Sequence, residues 1–275
     1  MDTVAGKRVL ITGAAMGLGK SFAQRAVREQ AADVVLWDIN EAALKQTAAE
    51  LSSGAVSRVH HYVVDVSDQQ SIIDAAAAVR SEVGDIDILV NNAGIVRGNG
   101  YFWETENRAD IDKTMAINSL APMYVALEFL PAMVNRKSPA RMLNIASSAA
   151  LVSNPRMSVY AASKWAALGW SDSVRLELEQ SGNDHVKVTT VCPTYINTGM
   201  FNGAKGFWFT PILEQEEVVD TAWREMKNGS ALVVLPWTSR LNRAISGLLP
   251  LKVRDFYLNK VGVYHSMDEF TGRTS

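Results

Sequence analysis

Thr12-Gly13-Ala14-Ala15-Met16-Gly17-Leu18-Gly19 directly follows the apolar run Arg8–Thr12 and opens a helix-like segment over 17–29. Glycines at such a turn let the backbone bend tightly and approach a pyrophosphate, and the helix N-terminus favours the negative charge. Gly13, Gly17 and Gly19, with Met16 and Leu18 between them, are therefore candidate cofactor contacts. A merely structural turn is the competing reading.

Working outward, short β-rich runs alternate with helix-like segments. Strands are expected at 8–12, 33–37, 59–64, 86–90, 141–145 and 186–191. Helices are expected at 17–29, 41–51, 68–83 and 108–133, and in a segment carrying Tyr160 and Lys164 that runs to about Gln180. Continuous apolar strands between helices indicate a parallel sheet covered on both faces. The alternation predicts an α/β, doubly wound parallel sheet of the Rossmann kind, three layers deep. Repeats and linkers are absent, so one domain is expected over 1–275. Beyond Thr198 the pattern loosens into a Gly- and aromatic-rich stretch at 199–211, then a helix at 214–227, a strand at 231–235 and an apolar-basic tail over 241–263.

With 275 residues, 48% hydrophobic and 20% charged, the chain can bury a substantial core. A net charge of −2 argues against a nucleic-acid partner. Cys192 is the only cysteine, so no internal disulfide forms. That suits a reducing compartment, and a cytoplasmic protein is expected. The first apolar run starts close to Met1, so no signal peptide or N-terminal anchor is expected, and no apolar run reaches the ~20 residues that span a bilayer. The four histidines (His60, His61, His185, His265) lack metal-ligand spacing, so no metal is expected.

Asp38 ends the second strand about 20 residues after the glycine turn, where a carboxylate can hydrogen-bond a ribose diol. It would repel a 2′-phosphate, which favours NAD over NADP. Capping of the next helix is the alternative role for Asp38. Lys20, the nearest basic residue, weakens the NAD reading slightly. Asp65-Val66 ends the third strand, where adenine should lie; capping the following helix is an equal alternative for Asp65. Asn91-Asn92-Ala93-Gly94 ends the fourth strand and suits a backbone passing close to a cofactor, or simply a turn.

Tyr160 and Lys164 stand four residues apart, on one helix face. An ammonium beside a phenol favours the phenolate, so the pair suits proton transfer near neutral pH. With the glycine turn, Asn91-Asn92-Ala93-Gly94 and a serine ahead of the tyrosine, the order and spacing resemble the short-chain dehydrogenase/reductase family over residues 7–200. The resemblance implies that Tyr160 is the general acid/base and that Lys164 lowers its pKa and holds the nicotinamide ribose. Ser147, thirteen positions before Tyr160, would hydrogen-bond the substrate oxygen; Ser148 is the competitor. Asn118 would support a water in a proton relay, or be a satisfied buried amide. The loop Pro193-Thr194-Tyr195-Ile196-Asn197-Thr198-Gly199-Met200 would contact the nicotinamide, with Pro193, Ile196 and Thr198 as contacts. Thr194 stands where the family has glycine, which puts the local turn in doubt.

The resemblance further implies a lid over 199–211. Phe201, Phe207, Trp208 and Phe209 there suggest a cover over an apolar substrate, with ordinary loop packing as an equal alternative. The 193–200 loop and the tail over 264–273 look like the retinol and hydroxysteroid dehydrogenase branch. The expected substrate is a small apolar alcohol or ketone, of steroid, retinoid or aryl/alkyl type. The tail's apolar-basic stripe (Arg240, Arg243, Leu248, Leu249, Leu251, Lys252, Arg254, Phe256, Leu258) is expected to pack internally or against a subunit rather than on a membrane. In the family the two long helices pair between subunits, implying a homodimer or homotetramer. A non-catalytic nucleotide sensor or scaffold is the alternative from another class; the complete Ser147, Tyr160, Lys164 set argues against it. A dehalogenase-like lyase would have arginine for Lys164 and no glycine turn.

Overall fold

The computed structural model describes residues 1–97, 100–104, 107–201, 203, 206 and 211–272. In chain order the elements are β1 (Arg8–Thr12), α1 (Gly17–Arg28), β2 (Asp33–Asp38), α2 (Glu41–Ser52), β3 (Arg58–Val63), α3 (Gln69–Glu82) and β4 (Ile88–Asn91). There follow α4 (Arg108–Met115), a π turn (Ala116–Leu120), α5 (Ala121–Asn135), β5 (Ala140–Ile145), α6 (Ser158–Gln180) and β6 (Val186–Pro193). The chain closes with α7 (Gln215–Asn228), β7 (Leu232–Leu235), α8 (Trp237–Leu248) and α9 (Leu251–Lys260).

Among the described residues the strands form one seven-stranded sheet in the order β3-β2-β1-β4-β5-β6-β7. Every pairing is parallel. Successive strand side chains alternate faces, so a fully covered sheet buries both sets. Val9, Ile11, Val34 and Leu36 face one core with Phe22, Leu44 and Trp223, from α1, α2 and α7. Leu10, Val35 and Trp37 face the other with Ile72, Phe129 and Leu178, from α3, α5 and α6. That is why β1 and β2 read as apolar runs, whereas the edge strand β3 does not. At the β2–β3 edge the buried Asp33 carboxylate takes a two-pronged contact from Arg58, at 2.7 and 2.8 Å, which holds its carboxyl below the usual range.

Strand order reverses between β1 and β4, and in such a sheet the crevice beyond the strand C-termini at that point binds ligands. The glycine turn sits there. Gly13 and Gly17 have φ of +65° and +57°, in the left-handed region that favours glycine. Gly19 is constrained by space: a Cβ there would lie 2.0 Å from the Gly13 carbonyl oxygen.

Two features differ from the sequence reading. The long segment over 108–133 is interrupted by the π turn, which buries Ile117, Asn118 and Ser119. The resulting helix, Arg108–Asn135, is long and apolar enough to cross a membrane by length and composition. Its Val125, Phe129 and Met133 are buried in the core against the sheet. The tail forms two helices, α8 and α9, joined at Pro250. Of its apolar stripe Leu258 is buried, whereas Leu248, Leu251 and Phe256 are exposed, so most of it does not pack internally.

Gly19→Ala sets a methyl against backbone that has no free rotor to move aside. It should destabilise the protein by about 1–3 kcal/mol or more. A lowered urea midpoint measures this; an unchanged midpoint refutes the close-packing argument.

Candidate active site

One cleft of about 380 Å³ runs along the C-terminal edge of the sheet. Its lining includes Gly13, Met16, Gly17 and Leu18 from the glycine turn, Asp38 after β2, Asp65 and Val66 after β3, and Asn92, Ala93 and Gly94 after β4. Ser147, Tyr160, Lys164, Pro193, Ile196 and Thr198 complete the expected set. Gly19 and Asn118 stand behind this lining and act through packing and hydrogen bonds.

At the cofactor end, Met16 stands at the N-cap of α1 and makes no side-chain cap, so the helix start offers backbone N–H groups to an anion. Asn92 braces the turn: its Nδ2 donates to the Thr12 and Gly13 carbonyls at 2.9 and 3.1 Å. Thr12 Oγ1 accepts from the Asn92 and Ala93 N–H groups. Asn91 has a different role, donating within the sheet to Asn144 at 2.8 Å. Asp38 accepts from Ala15 N at 3.0 Å with one oxygen and from Asn40 N at 2.9 Å with the other. Asn40, not Asp38, caps α2. Likewise Asp68, not Asp65, caps α3; Asp65 accepts from Ser67. Lys20 is bound to Glu50 at 2.6 Å, outside the cleft lining. Thr198 lies over the turn: a Cβ on Gly17 would come within 3.8 Å of it. A glycine cradle that excludes Cβ atoms, an uncapped helix start and a fixed carboxylate at the ribose position fit a dinucleotide.

At the reacting end, α6 is held by a buried polar chain. Asn144 Nδ2 donates to Ser171 Oγ at 2.8 Å, and Ser171 Oγ shares a 2.6 Å hydrogen bond with Thr190 Oγ1. Its first turns are pinned to the π turn. Ser119 Oγ donates to the Ser163 carbonyl, and Asn118 Nδ2 donates to Ser163 Oγ at 3.1 Å. Asn118 also exchanges two 2.9 Å bonds with the Ile95 backbone. Its side-chain amide is thus hydrogen-bonded through both its oxygen and its nitrogen. Thr194 has no positive φ, so its turn needs no glycine.

Ser147 is buried and faces Tyr160, whereas Ser148 is outside the main cleft lining. Tyr160 is 5% exposed and Lys164 5% exposed. Lys164 Nζ donates to the Ile145 carbonyl at 3.1 Å and lies 5.8 Å from the Tyr160 ring centroid. Burial pushes the Tyr160 phenol above its usual value, and the Ser147 hydrogen bond pulls it partly back. Burial brings the Lys164 ammonium down to about 8. Removal of the charged form from water is the first cause at both residues, and the phenol moves up rather than down.

Sequence reasoning missed an inner pocket of about 60 Å³ that shares Ser147, Tyr160, Thr194 and Phe201 with the cleft. Phe201 meets the Tyr160 ring edge-on at 6.1 Å and also contacts Tyr195 and Phe270. Asn154, Tyr195 and Ser266 form a hydrogen-bonded cluster beside it. These residues come from three distant loops, and only the fold unites them. Phe207, Trp208 and Phe209 lie outside the described residues.

The fold and cleft define a nucleotide-binding oxidoreductase of the Rossmann class. The sequence model of the family described as short chain dehydrogenase matches residues 7–206, and the chain belongs to that family. It is 35% identical over 272 residues to epidermal retinol dehydrogenase 2 of Mus musculus, covering 98% of this chain and 87% of that one. It is 34% identical over 261 residues to estradiol 17-beta-dehydrogenase 11 of Homo sapiens, covering 95% and 85%. Among solved structures, a short chain dehydrogenase/reductase from Burkholderia phymatum in complex with NAD superimposes with a TM-score of 0.79. It shares 25% identity, with 90% and 96% of the two chains covered. A short-chain dehydrogenase from Sphingobium yanoikuyae in complex with NADPH gives a TM-score of 0.75 at 25% identity, covering 93% and 96%.

In the free protein Tyr160 should stay a neutral phenol beyond pH of about 10. An ultraviolet difference titration of wild type against Tyr160→Phe measures this. Phenolate absorbance assignable to Tyr160 near pH 8 would refute the dominance of burial.

Proposed function

We propose that the protein is an NAD-dependent oxidoreductase that interconverts a secondary alcohol and a ketone on an apolar substrate. The observation that carries the reading is the placement of Ser147, Tyr160 and Lys164 at one end of a cleft whose other end holds the glycine turn and Asp38. The names of the relatives, retinol and estradiol dehydrogenases, support an apolar alcohol. The aromatic cluster around Phe201 supports an apolar cover.

When bound, the nicotinamide supplies the hydride chemistry. The chain supplies position and proton movement. Ser147 and Tyr160 hydroxyls bracket the substrate oxygen and stabilise charge developing there. In ketone reduction the Tyr160 Oη–H, kept neutral by burial, donates its proton to that oxygen. In alcohol oxidation Tyr160 first gives up its own proton to solvent, Lys164 as its ammonium steadies the phenolate, and Oη then takes the substrate hydroxyl proton. Lys164 would also hold the ribose of the nicotinamide. The proton relay role of Asn118 rests on the opened backbone of the π turn.

NAD is favoured over NADP because the Asp38 carboxylate is fixed by two backbone N–H groups where a 2′-phosphate would sit, and Lys20 is engaged by Glu50. Leu127 and Trp165, exposed on α5 and α6, support assembly as a homodimer or homotetramer through the long helices.

Tyr160→Phe should lower kcat for alcohol oxidation by roughly 10²-fold or more while leaving NAD binding intact. Stopped assays for NADH formation and calorimetric titration with NAD give the two numbers. An unaffected rate would favour a nucleotide sensor without turnover. Wild-type kcat/KM with NAD should exceed that with NADP, and Asp38→Ala should narrow the gap; equal values in the wild type would reject the NAD assignment.

A further inference from the structure

Helices α8 and α9 turn an apolar and cationic face outward. In α8, Trp237, Leu241, Ala244 and Leu248 recur at the spacing that sets them on one side of a helix. That side points away from the core: Trp237, Leu241 and Leu248 are 71%, 52% and 85% exposed, while Ser239 on the opposite side is buried. In α9, Lys252, Val253, Phe256 and Lys260 share a side. Val253 and Phe256 are 50% and 73% exposed, and Leu258 across the helix is buried.

The charge on this face is of one sign. Residues 237–260 hold Arg240, Arg243, Lys252, Arg254 and Lys260 against a single carboxylate, Asp255, in a chain of net charge −2. Asp255 is engaged by Arg254 at 2.9 Å and by the Tyr264 hydroxyl at 2.8 Å. Arg240, Arg243, Lys252 and Lys260 have no ion-pair partner among the described residues. A shallow groove of about 450 Å³ between β7 and α8 repeats the pattern, with Leu232, Ala244 and Leu248 beside Arg240 and Arg243.

These features select one occupant. A two-fold contact with a second copy sets the same patch against itself, so the four cations would face their own equivalents. Water leaves the leucines and aromatic rings exposed. A layer of anionic headgroups answers both needs: the apolar stripe enters the acyl boundary while guanidinium and ammonium groups meet phosphate and carboxylate. Trp237 suits such a boundary, because its ring is apolar and its N–H is polar.

We infer that α8 and α9 form a docking surface for an anionic phospholipid membrane, lying along the headgroup layer without crossing it. The inward side of α9 gives Leu258 to the inner pocket that Ser147 and Tyr160 also line. One helix therefore separates the docked face from that pocket. The docking itself does not depend on the proposed reaction.

The test floats the full chain with vesicles of phosphatidylcholine, with and without phosphatidylserine. The protein should float with the anionic vesicles only, and added salt should weaken the binding. Brominated acyl chains should quench Trp237, read as the difference between wild type and Trp237→Phe. Arg240→Gln with Arg243→Gln should lower partitioning to anionic vesicles by roughly tenfold or more. Leu248→Ser with Phe256→Ser should abolish the quenching. All four side chains are exposed, so folding is kept, and an unchanged urea midpoint checks it. Leu127→Ser, exposed on α5, should leave vesicle binding unchanged. Absence of flotation overturns the docking surface, as does flotation that survives both pairs of substitutions. Flotation without quenching of Trp237 also overturns it, since charge attraction alone leaves the stripe in water. A mass by light scattering that halves in the Leu248→Ser, Phe256→Ser protein, without vesicle binding by the wild type, assigns the face to a second copy and overturns the lipid. None of these readouts needs turnover, so their failure leaves the oxidoreductase reading standing.

Discussion

The approach of Gly19 to the Gly13 carbonyl is the constraint on which the rest depends. A single methyl between them would part the start of α1 from the end of β1. Because they touch, the uncapped helix start points into the crevice where strand order reverses, and Asn92 can reach two carbonyls of the turn from β4. Gly94 repeats the theme on the other side, where a Cβ would press on Asn118 Oδ1 and Lys164 Nζ at 3.3 and 3.5 Å. Backbone without side chains thus brings the nucleotide end and the reacting end within one cleft.

The reacting end trades charge for position. Tyr160 and Lys164 sit where water is excluded, so neither ionises as readily as it would at the surface. The cost is met by rigidity: α6 is tied to β5 and β6 through Asn144, Ser171 and Thr190, and to the π turn through Ser163. A buried polar chain with its hydrogen bonds made holds a helix in one register. The tyrosine hydroxyl is therefore aimed by groups far from it in sequence.

Much of this was legible in the chain. Strands β1, β2, β4 and β6 are buried on both faces, so their apolar runs were visible, whereas the edge strand β3, Arg58–Val63, is largely exposed and carries two histidines. The glycine turn and the Tyr160–Lys164 spacing carry local mechanical meaning, and their residues line one cleft. What was not legible depends on neighbours. Asp38 and Asn40 are equally good helix caps by type, and only the fold shows Asn40 in that place. The direction of the Tyr160 shift turns on how deeply α6 is buried, which spacing does not encode. The π turn costs one residue of phase in a helix that reads as continuous. Asn154, Tyr195 and Ser266 meet only because the tail folds back over the β6 loop. Helices α8 and α9 escaped because their apolar stripe is largely outside the core, leaving no burial pattern to separate helix from loop.

Asp38 has a double attachment that joins two backbone segments. One of its oxygens holds Ala15 N of the glycine turn, and the other holds Asn40 N at the entry to α2. The group proposed to select the coenzyme is thus also a rivet in the glycine turn. Replacing it to admit a phosphate would leave two backbone donors to be reseated, so selectivity and grip are mechanically fused. If the proposed NAD selectivity holds, conversion to NADP would demand a coordinated set of changes across the turn, with intermediates that hold neither coenzyme well.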